Sequence, residues 1–467
     1  MQLGQDKRII IIIVSVAVVL RVAMLAFGLL TAGSEYLLSF DDAKGYIEPA
    51  INLIEGRGYS VNYNGVLYPE TGRTPGYPLL IAASLGLCKS FFPLIGLQII
   101  IGGILPVLAY YLARRIFADR FAAMAVAVFF AIDPLVIALS TLLMSETIFM
   151  ALFTAGFLLL IKASDGERLR WELIITSGLL LSYATLMRPV LFYTLPIFII
   201  YFVLKSKKHF TWHKTAYGAL ILFVALSSFV APWIVRNKKY AGIAQLTSLT
   251  GIVSYFYTGS SVLSIAEGKS FSDERQELRL KAKATGIMEL REPKNNPYFK
   301  REALRIIREH PKESIMLAGL SIFHLFTHDG YLDTFLQTGI LKSSPQSVPQ
   351  ITAIARGEFS QLFDVAKQFL HGPWLIFIFT RLLWIVISIL AVVGLFSALR
   401  RKTTERPQIL LAIAVSLMIV LATIPVALGM HGRLRIPLDI FIIPLAAIGY
   451  SAVLKTIGRK SGRQLAN

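Results

Sequence analysis

The sequence predicts an all-helical protein that crosses a membrane many times, and three observations carry that prediction. Hydrophobic residues make up 55% of the 467 and charged residues only 16%. Mean hydropathy is +0.63. The apolar residues gather in runs of roughly 20, the length that crosses a hydrocarbon core about 30 Å thick, whereas a closed barrel would show short alternating segments.

Taken in order, the chain opens with Lys7-Arg8 and an apolar run, Ile9 to Leu30. The charge order is that of a signal peptide, but the run is too long and no small-residue cleavage site follows, so it reads as a retained signal-anchor helix. A polar stretch, 31–92, comes next. In it "SFDDAKGYIEPA" begins a segment whose residues Tyr46 to Glu55 have helical spacing, "GRGYSVNYNG" supplies turn formers, and "RTPGYP" leads into a half-length apolar helix, Leu79 to Leu87.

Ten runs are read as crossings, at about 9–30, 93–113, 121–139, 146–162, 172–187, 189–204, 215–234, 374–399, 408–428 and 436–456. Basic clusters fall at alternate ends: Lys7/Arg8, Arg114/Arg115/Arg120, Lys162/Arg168/Arg170, Lys205/Lys207/Lys208/Lys214, Arg400/Arg401/Lys402/Arg406 and Lys455/Arg459/Lys460/Arg463. Ten crossings put all of them on one side, as the positive-inside rule requires, and place both termini in the cytoplasm. The long connections 31–92 and 235–373 then share the other face. The second contains "SDERQELRLKAKATGIMELREPKNNPYFKREALRIIREHPKE", two polar helices broken near Pro293 and Pro297, and an apolar piece, Ser314 to Thr327. That piece is short for a crossing. Counting it would give eleven or more spans and move Arg400-Arg401-Lys402 outside, so it is read as lying on or dipping into the outer surface. The chain is one integral unit, 1–467, with two elaborations on a single face.

Lys and Arg number 47 against 28 Asp and Glu, a net charge of +19. In a soluble protein this would suggest nucleic acid; here it reads as anchoring against anionic membrane lipid, and no nucleic-acid partner is expected. Cys88 is the only cysteine, which excludes an intramolecular disulfide and any CxxC metal site. P-loop, Rossmann, HExxH and GxSxG patterns are absent, which argues against nucleotide hydrolysis and a zinc centre.

The candidate site residues lie on the outer face. If a helix begins at Asp41, Asp42 and Tyr46 share one of its faces while Asp41 points about 100° away. A carboxylate in a poorly hydrated cleft has its pKa raised, which suits it to accept a proton; the same pair also fits a helix N-cap. Arg21 is an intramembrane cation that calls for an acidic or phosphate partner. Arg73 in "ETGRTPGYP" could clamp a phosphate with two hydrogen bonds. Asp133-Pro134, Glu146, Arg188-Pro189 and Arg236-Asn237 mark outer ends of spans, and "HGRLRIPLD" adds His431, Arg433 and Arg435. Acids and arginines gathered at one interface could hold both an acceptor nucleophile and an anionic lipid head group. Arg301, Arg305 and Arg308 share a helix face that reads as solvated.

"RVAML", "DDAKGYIEPAINLIEGRGY", "RTPGYPLLIA", "YYLARRIF", "IDPLVIALSTLLMSETIF", "LMRPVLF", "APWIVRN" and "HGRLRIPLDIFIIPLAA" occur in the order seen in the GT-C glycosyltransferases, and the chain resembles the branch of protein O-mannosyltransferases and lipid A aminoarabinose transferases. The resemblance implies a GT-C-type bundle in a bacterial inner membrane, with periplasmic loops 31–92 and 235–373. It also implies an inverting transfer of a sugar from a polyprenyl-phosphate carrier to a glycan, lipid (lipid A included) or protein acceptor. The family's catalytic acid lies in the first outer loop as D-x-x-x-Y or D-E. Asp42-Ala-Lys-Gly-Tyr46 fits the first form, so Asp42 inherits the role of general base, with Asp41 the alternative. Arg73, Arg188, His431, Arg433, Arg435 and Arg21 are expected around the donor, and Tyr46, Glu146, Asp133 and Arg236 around the acceptor or in support. No cofactor is expected; Asp41, Asp42 and Glu146 could hold a divalent metal, but a base plus a cationic clamp suffices. The rival reading, a transporter or flippase of lipid-linked glycans, should show polar groups or broken helices in paired halves near the mid-membrane, whereas the polar groups here concentrate at one face.

Overall fold

The computed structural model describes residues 2–165, 168–287, 289–290, 292–342, 356–358, 360, 363, 367, 370, 374–400, 404–425 and 432–464. The first helix, α1 (Gln2–Ala32), runs unbroken and is followed by α2 (Asp41–Ile54), α3 (Gly76–Cys88) and α4 (Phe92–Phe117). Among the described residues the regular structure is helical apart from one hairpin in the first loop, β1 (Ser60–Tyr63) against β2 (Val66–Pro69). Asn64 and Gly65 turn it with φ of 52° and 84°, the left-handed pair that a two-residue hairpin needs. Glu48 of α2 accepts from the Asn62 amide at 2.7 Å, fixing the hairpin to the helix.

The third expected crossing, 121–139, is broken. α5 (Arg120–Ile132) and α6 (Pro134–Thr141) meet at 50°. Pro134 lacks an amide hydrogen and forces Asp133 into an extended conformation, with ψ 124°. Asp133 then caps α6, accepting from the Val136 amide at 2.9 Å. Beyond lie α7 (Glu146–Ser164), α8 (Trp171–Met187), α9 (Leu195–Ser206) and α10 (Trp212–Ala241).

Nine helical segments among the described residues are long and apolar enough to cross a membrane, ten when the bent pair is one span. One of them, Leu249–Glu267, lies within 235–373, the stretch read from the sequence as an outer loop. It comprises α11 (Leu249–Val253), a wider turn, and α12 (Ser260–Glu267). Its Tyr255, Phe256, Val262 and Leu263 bury against Leu278 and Ala282 of α13 (Phe271–Ala284) and Phe299, Ala303 and Ile306 of α14 (Asn296–Glu309). Those two helices carry charges along their length, a pattern hydrocarbon does not accept, so the segment packs as the apolar centre of a small helical unit, called the outer unit after its expected place. Helix α8, at 17 residues, is short but apolar and takes its place as a crossing.

The remaining helices are α15 (Pro311–Thr327), α16 (Tyr331–Gln337), α17 (Leu375–Arg400), α18 (Arg406–Thr423) and α19 (Gly432–Gln464). Helices α17 and α19 cross at contact distance because Gly394 faces the Leu445 carbonyl and Gly449 the Leu390 carbonyl, and a Cβ at either position would collide with backbone.

Two polar knots mark opposite ends of the bundle. At one, Asp165, just past α7, pairs with Lys205 of α9 at 2.9 Å and lies 4.0 Å from Arg115 of α4. At the other, Glu146 opens α7. Nineteen residues of helix separate them, about 28 Å, close to the thickness of the hydrocarbon.

Candidate active site

The second knot is built from five side chains on five elements. Asp42 sits in the first turn of α2, after Phe40 in an extended conformation. Arg73 lies in the loop before α3, Glu146 in the first turn of α7, Arg188 immediately after α8, and Arg433 in the first turn of α19. Both acids therefore stand at helix N-termini, where the dipole favours negative charge. Arg73 donates to one Asp42 oxygen at 2.5 Å and Arg433 to the other at 2.6 Å. The Nε of Arg433 is 3.4 Å from Glu146 Oε1, which also pairs with Arg188. Glu146 Oε2 is buried with no hydrogen-bond partner among the described residues. Three guanidinium groups against two carboxylates leave the cluster with one net positive charge.

The surroundings hold these groups in place. Gly45 leaves room for the Arg73 guanidinium, whose Nε would lie 3.1 Å from a Cβ there. The same guanidinium stacks on Tyr46, 5.1 Å from the ring centre. Tyr46 packs edge-on against Tyr77, and the Tyr77 hydroxyl donates to Gln98 at 2.6 Å. Glu70 accepts from the Arg73 amide at 2.9 Å, and Thr247 donates to the Gly72 carbonyl at 2.6 Å, tying the arginine loop to the outer unit. Arg433 lies over the Phe40 ring.

Burial pushes the Asp42 carboxyl up, but Arg433 and Arg73 beside it more than reverse this and hold it well below the usual carboxylate range. The expectation of a raised pKa is thereby corrected: two charge-assisted bonds outweigh desolvation. Asp42 is an ionised acceptor whose proton affinity depends on what else its arginines bind.

A cleft of about 970 Å³ opens onto the cluster. One wall is apolar, from Met418, Leu421 and Ala422 of α18 together with Val190 and Pro437. Residues 249–284 add Ile252, Phe256, Tyr257, Arg275 and Arg279 to the lining.

Other predicted site residues stand elsewhere. Asp41 faces solvent, 3.4 Å from Lys44. Arg21 is fully buried and serves the α5–α6 break, donating to the carbonyls of Phe130 at 2.9 Å and Ala131 at 3.4 Å and to Ser140 at 3.1 Å. Its expected acidic or phosphate partner is replaced by carbonyls that the kink leaves free. Asp133 caps α6 and accepts from the Tyr331 hydroxyl at 2.6 Å. Arg435 pairs with Asp439 at 2.9 Å, donates to the Leu325 and His328 carbonyls, and lies on the Trp384 ring. Arg236 braces the first loop, donating to the carbonyls of Glu70 at 2.5 Å and Tyr59 at 2.6 Å. Arg305 pairs with Glu302 and Glu309 on the outer helix. His431 lies outside the described residues. Tyr77, Gln98, Glu70, Arg275 and Arg279 were not singled out beforehand; for the first two no short-range pattern announces the contact, because 21 residues separate the partners.

The donor set around Asp42 and Glu146 suits an anion. Three of their four oxygens already face guanidinium groups, and Asp41 points away, so the cluster offers little to a divalent cation. A second acidic group, Glu267, Glu274 and Glu277, surrounds the Lys269 ammonium at 3.0, 3.6 and 2.7 Å.

Fold and site together define an integral-membrane protein that brings fixed carboxylates, arginines and an apolar wall to one end of its helical bundle. Residues 72–235, about a third of the chain, match the family model described as dolichyl-phosphate-mannose-protein mannosyltransferase, a family of GT-C membrane glycosyltransferases that draw a sugar from a lipid-phosphate carrier. A comparison with curated proteins found no match. The matched segment contains Arg73, Glu146 and Arg188, while Asp42 and Arg433 lie outside it and join it through their ion pairs.

Proposed function

We propose that the protein transfers a sugar with inversion from polyprenyl phosphate to an acceptor hydroxyl or amine at the face of the membrane away from the cytoplasm, with Asp42 as general base. The observation that carries this reading is the Asp42 carboxylate held between Arg73 and Arg433 at the mouth of a cleft that is apolar on its bilayer side.

The prenyl chain lies along the α18 wall, and the phosphate meets the guanidinium groups of Arg433, Arg73 and Arg188. The acceptor oxygen or nitrogen attacks the anomeric carbon as the bond from that carbon to the phosphate oxygen breaks. The electron pair leaves with the phosphate, and the acceptor proton passes to Asp42. The arginines stabilise the charge that develops on the leaving group without reorganising water. They also couple binding to catalysis. Paired with Asp42 they suppress its basicity; once turned towards the phosphate they release it, so the base strengthens as the donor arrives. Tyr46 and Glu146 hold the arginines in line, and Arg21, Asp133, Arg435 and Arg236 support the scaffold. Asp41 takes no part. The bacterial inner-membrane placement rests on the family resemblance, and charge sidedness supports cytoplasmic termini: Arg115 and Lys205 gather about Asp165 at the end of the bundle opposite Asp42.

The test is a transfer assay. Purified protein is given polyprenyl-phospho-mannose of defined anomeric configuration with cell-envelope fractions, and the product linkage is read by NMR. An inverted linkage, with equimolar polyprenyl phosphate released, is expected. A retained linkage would overturn the single-displacement chemistry, and movement of the lipid across proteoliposomes without transfer would establish the flippase reading instead.

A further inference from the structure

We propose that Arg275 and Arg279 of α13 form a second anion subsite, distinct from the Asp42 cluster, that takes a phosphate monoester carried by the acceptor; this rests on the glycosyltransferase reading above and adds the chemical class of its acceptor.

Residues 275 and 279 are four apart, so both side chains project from one face of α13, and both line the cleft that α18 also lines. Neither has a carboxylate within 4.0 Å among the described residues, whereas every arginine of the Asp42 cluster does. Arg275 instead lies over Tyr257, 4.7 Å from the ring centre, with its Nη2 at 3.4 Å from the hydroxyl, and its Nε is buried with no hydrogen-bond partner among the described residues. A guanidinium fixed by a ring and left with an unused buried donor is prepared for an anion that arrives later.

The position selects the acceptor over the donor. A prenyl carrier must keep its chain in the bilayer, which confines its phosphate to the part of the cleft formed by the membrane helices, where Arg433 opens α19 and joins Arg73 on Asp42. Helix α13 belongs to the charged outer unit, with its back to water, so an anion reaching it comes from a second molecule entering from the aqueous side. Two unpaired positive charges match the charge of about −1.5 to −2 on a phosphate monoester near neutral pH.

Inorganic pyrophosphate, titrated by calorimetry into protein saturated with undecaprenyl phosphate, is the probe. One site per chain is expected. Arg275→Gln with Arg279→Gln should weaken it tenfold or more, and Arg275→Lys with Arg279→Lys should stay within about threefold of the parent. Undecaprenyl phosphate affinity should change less than twofold in the Gln pair. An unchanged pyrophosphate affinity in the Gln pair overturns the proposal, as does loss of undecaprenyl phosphate binding there, which would place the pair on the donor. Parent protein that never binds undecaprenyl phosphate defeats the donor reading alone, because the loss of one pyrophosphate site from the Gln pair relative to the parent, both titrated without lipid, still decides the pair.

Discussion

Replacing Asp42 by Asn removes a proton acceptor while keeping shape and one hydrogen-bonding oxygen. A positioned general base contributes about 10²–10⁴-fold, which is roughly 2.7–5.4 kcal/mol of barrier, so turnover should fall by that factor. Donor binding should move the other way. The cluster holds three arginines and two carboxylates, and D42N raises its net charge from +1 to +2. One extra charge about 5 Å from a phosphate is worth at most about 3 kcal/mol at an effective dielectric of 20, and screening in an open cleft leaves roughly tenfold as the ceiling. The signature is therefore a kcat reduced a hundredfold or more with undecaprenyl phosphate bound as tightly as before or tighter. Stopped-time transfer assays give the first quantity and fluorescence titration of the purified protein the second. A normal kcat, or a loss of activity that merely follows weaker donor binding, would refute the assignment of Asp42 as base.

The pH profile offers a second check. Because Arg433 and Arg73, paired with Asp42, depress its pKa, the carboxylate stays ionised as pH falls through the ordinary carboxylate range near 3.9, and kcat/KM should show no acidic limb from it above about pH 4. When the donor phosphate competes for those arginines the pKa rises, so the acidic limb of kcat should lie at higher pH than that of kcat/KM; coincident limbs would count against the coupling. Arg21→Met should destabilise the protein by about 2–4 kcal/mol, through carbonyls left unpaired in an apolar interior, with donor KM unchanged in the surviving enzyme; thermal inactivation in detergent measures the first effect and kinetics the second. Gly394→Val should cost about 1–3 kcal/mol or more by forcing α17 from α19, seen as a lower midpoint in the same inactivation assay.

Most of the bundle could be read from the chain because crossing a bilayer imposes a length and a composition that single segments display. The break at Asp133-Pro134 was visible as a dipeptide but not as a kink, since proline is tolerated within spans whenever a neighbour satisfies the freed carbonyls, and the neighbour here, Arg21, is more than a hundred residues away. Segment 249–267 shows the opposite difficulty: a span and the buried centre of an outer helical unit have similar composition, and only the charged partners α13 and α14 separate them. Asn64-Gly65 was a hairpin signal inside a stretch read simply as turn. At the site, helical spacing placed Asp42 and Tyr46 together and Asp41 apart. It could not say which of six arginines meet Asp42, because Arg73 and Arg433 come from opposite ends of the chain, and an arginine at a span end looks the same whether it grips a carboxylate, as Arg433 does, or carbonyl oxygens, as Arg236 does.

The guanidinium of Arg21 in the first crossing and the bare carbonyls of Phe130 and Ala131 in the third are each costly in lipid until they meet. The N-terminal segment emerges from the ribosome first and so awaits the bent pair as a template. Biogenesis thus acquires a checkpoint: the kinked crossing settles only where its predecessor is already seated, and a chain lacking that arginine should linger with the insertion machinery or be degraded before any sugar is moved.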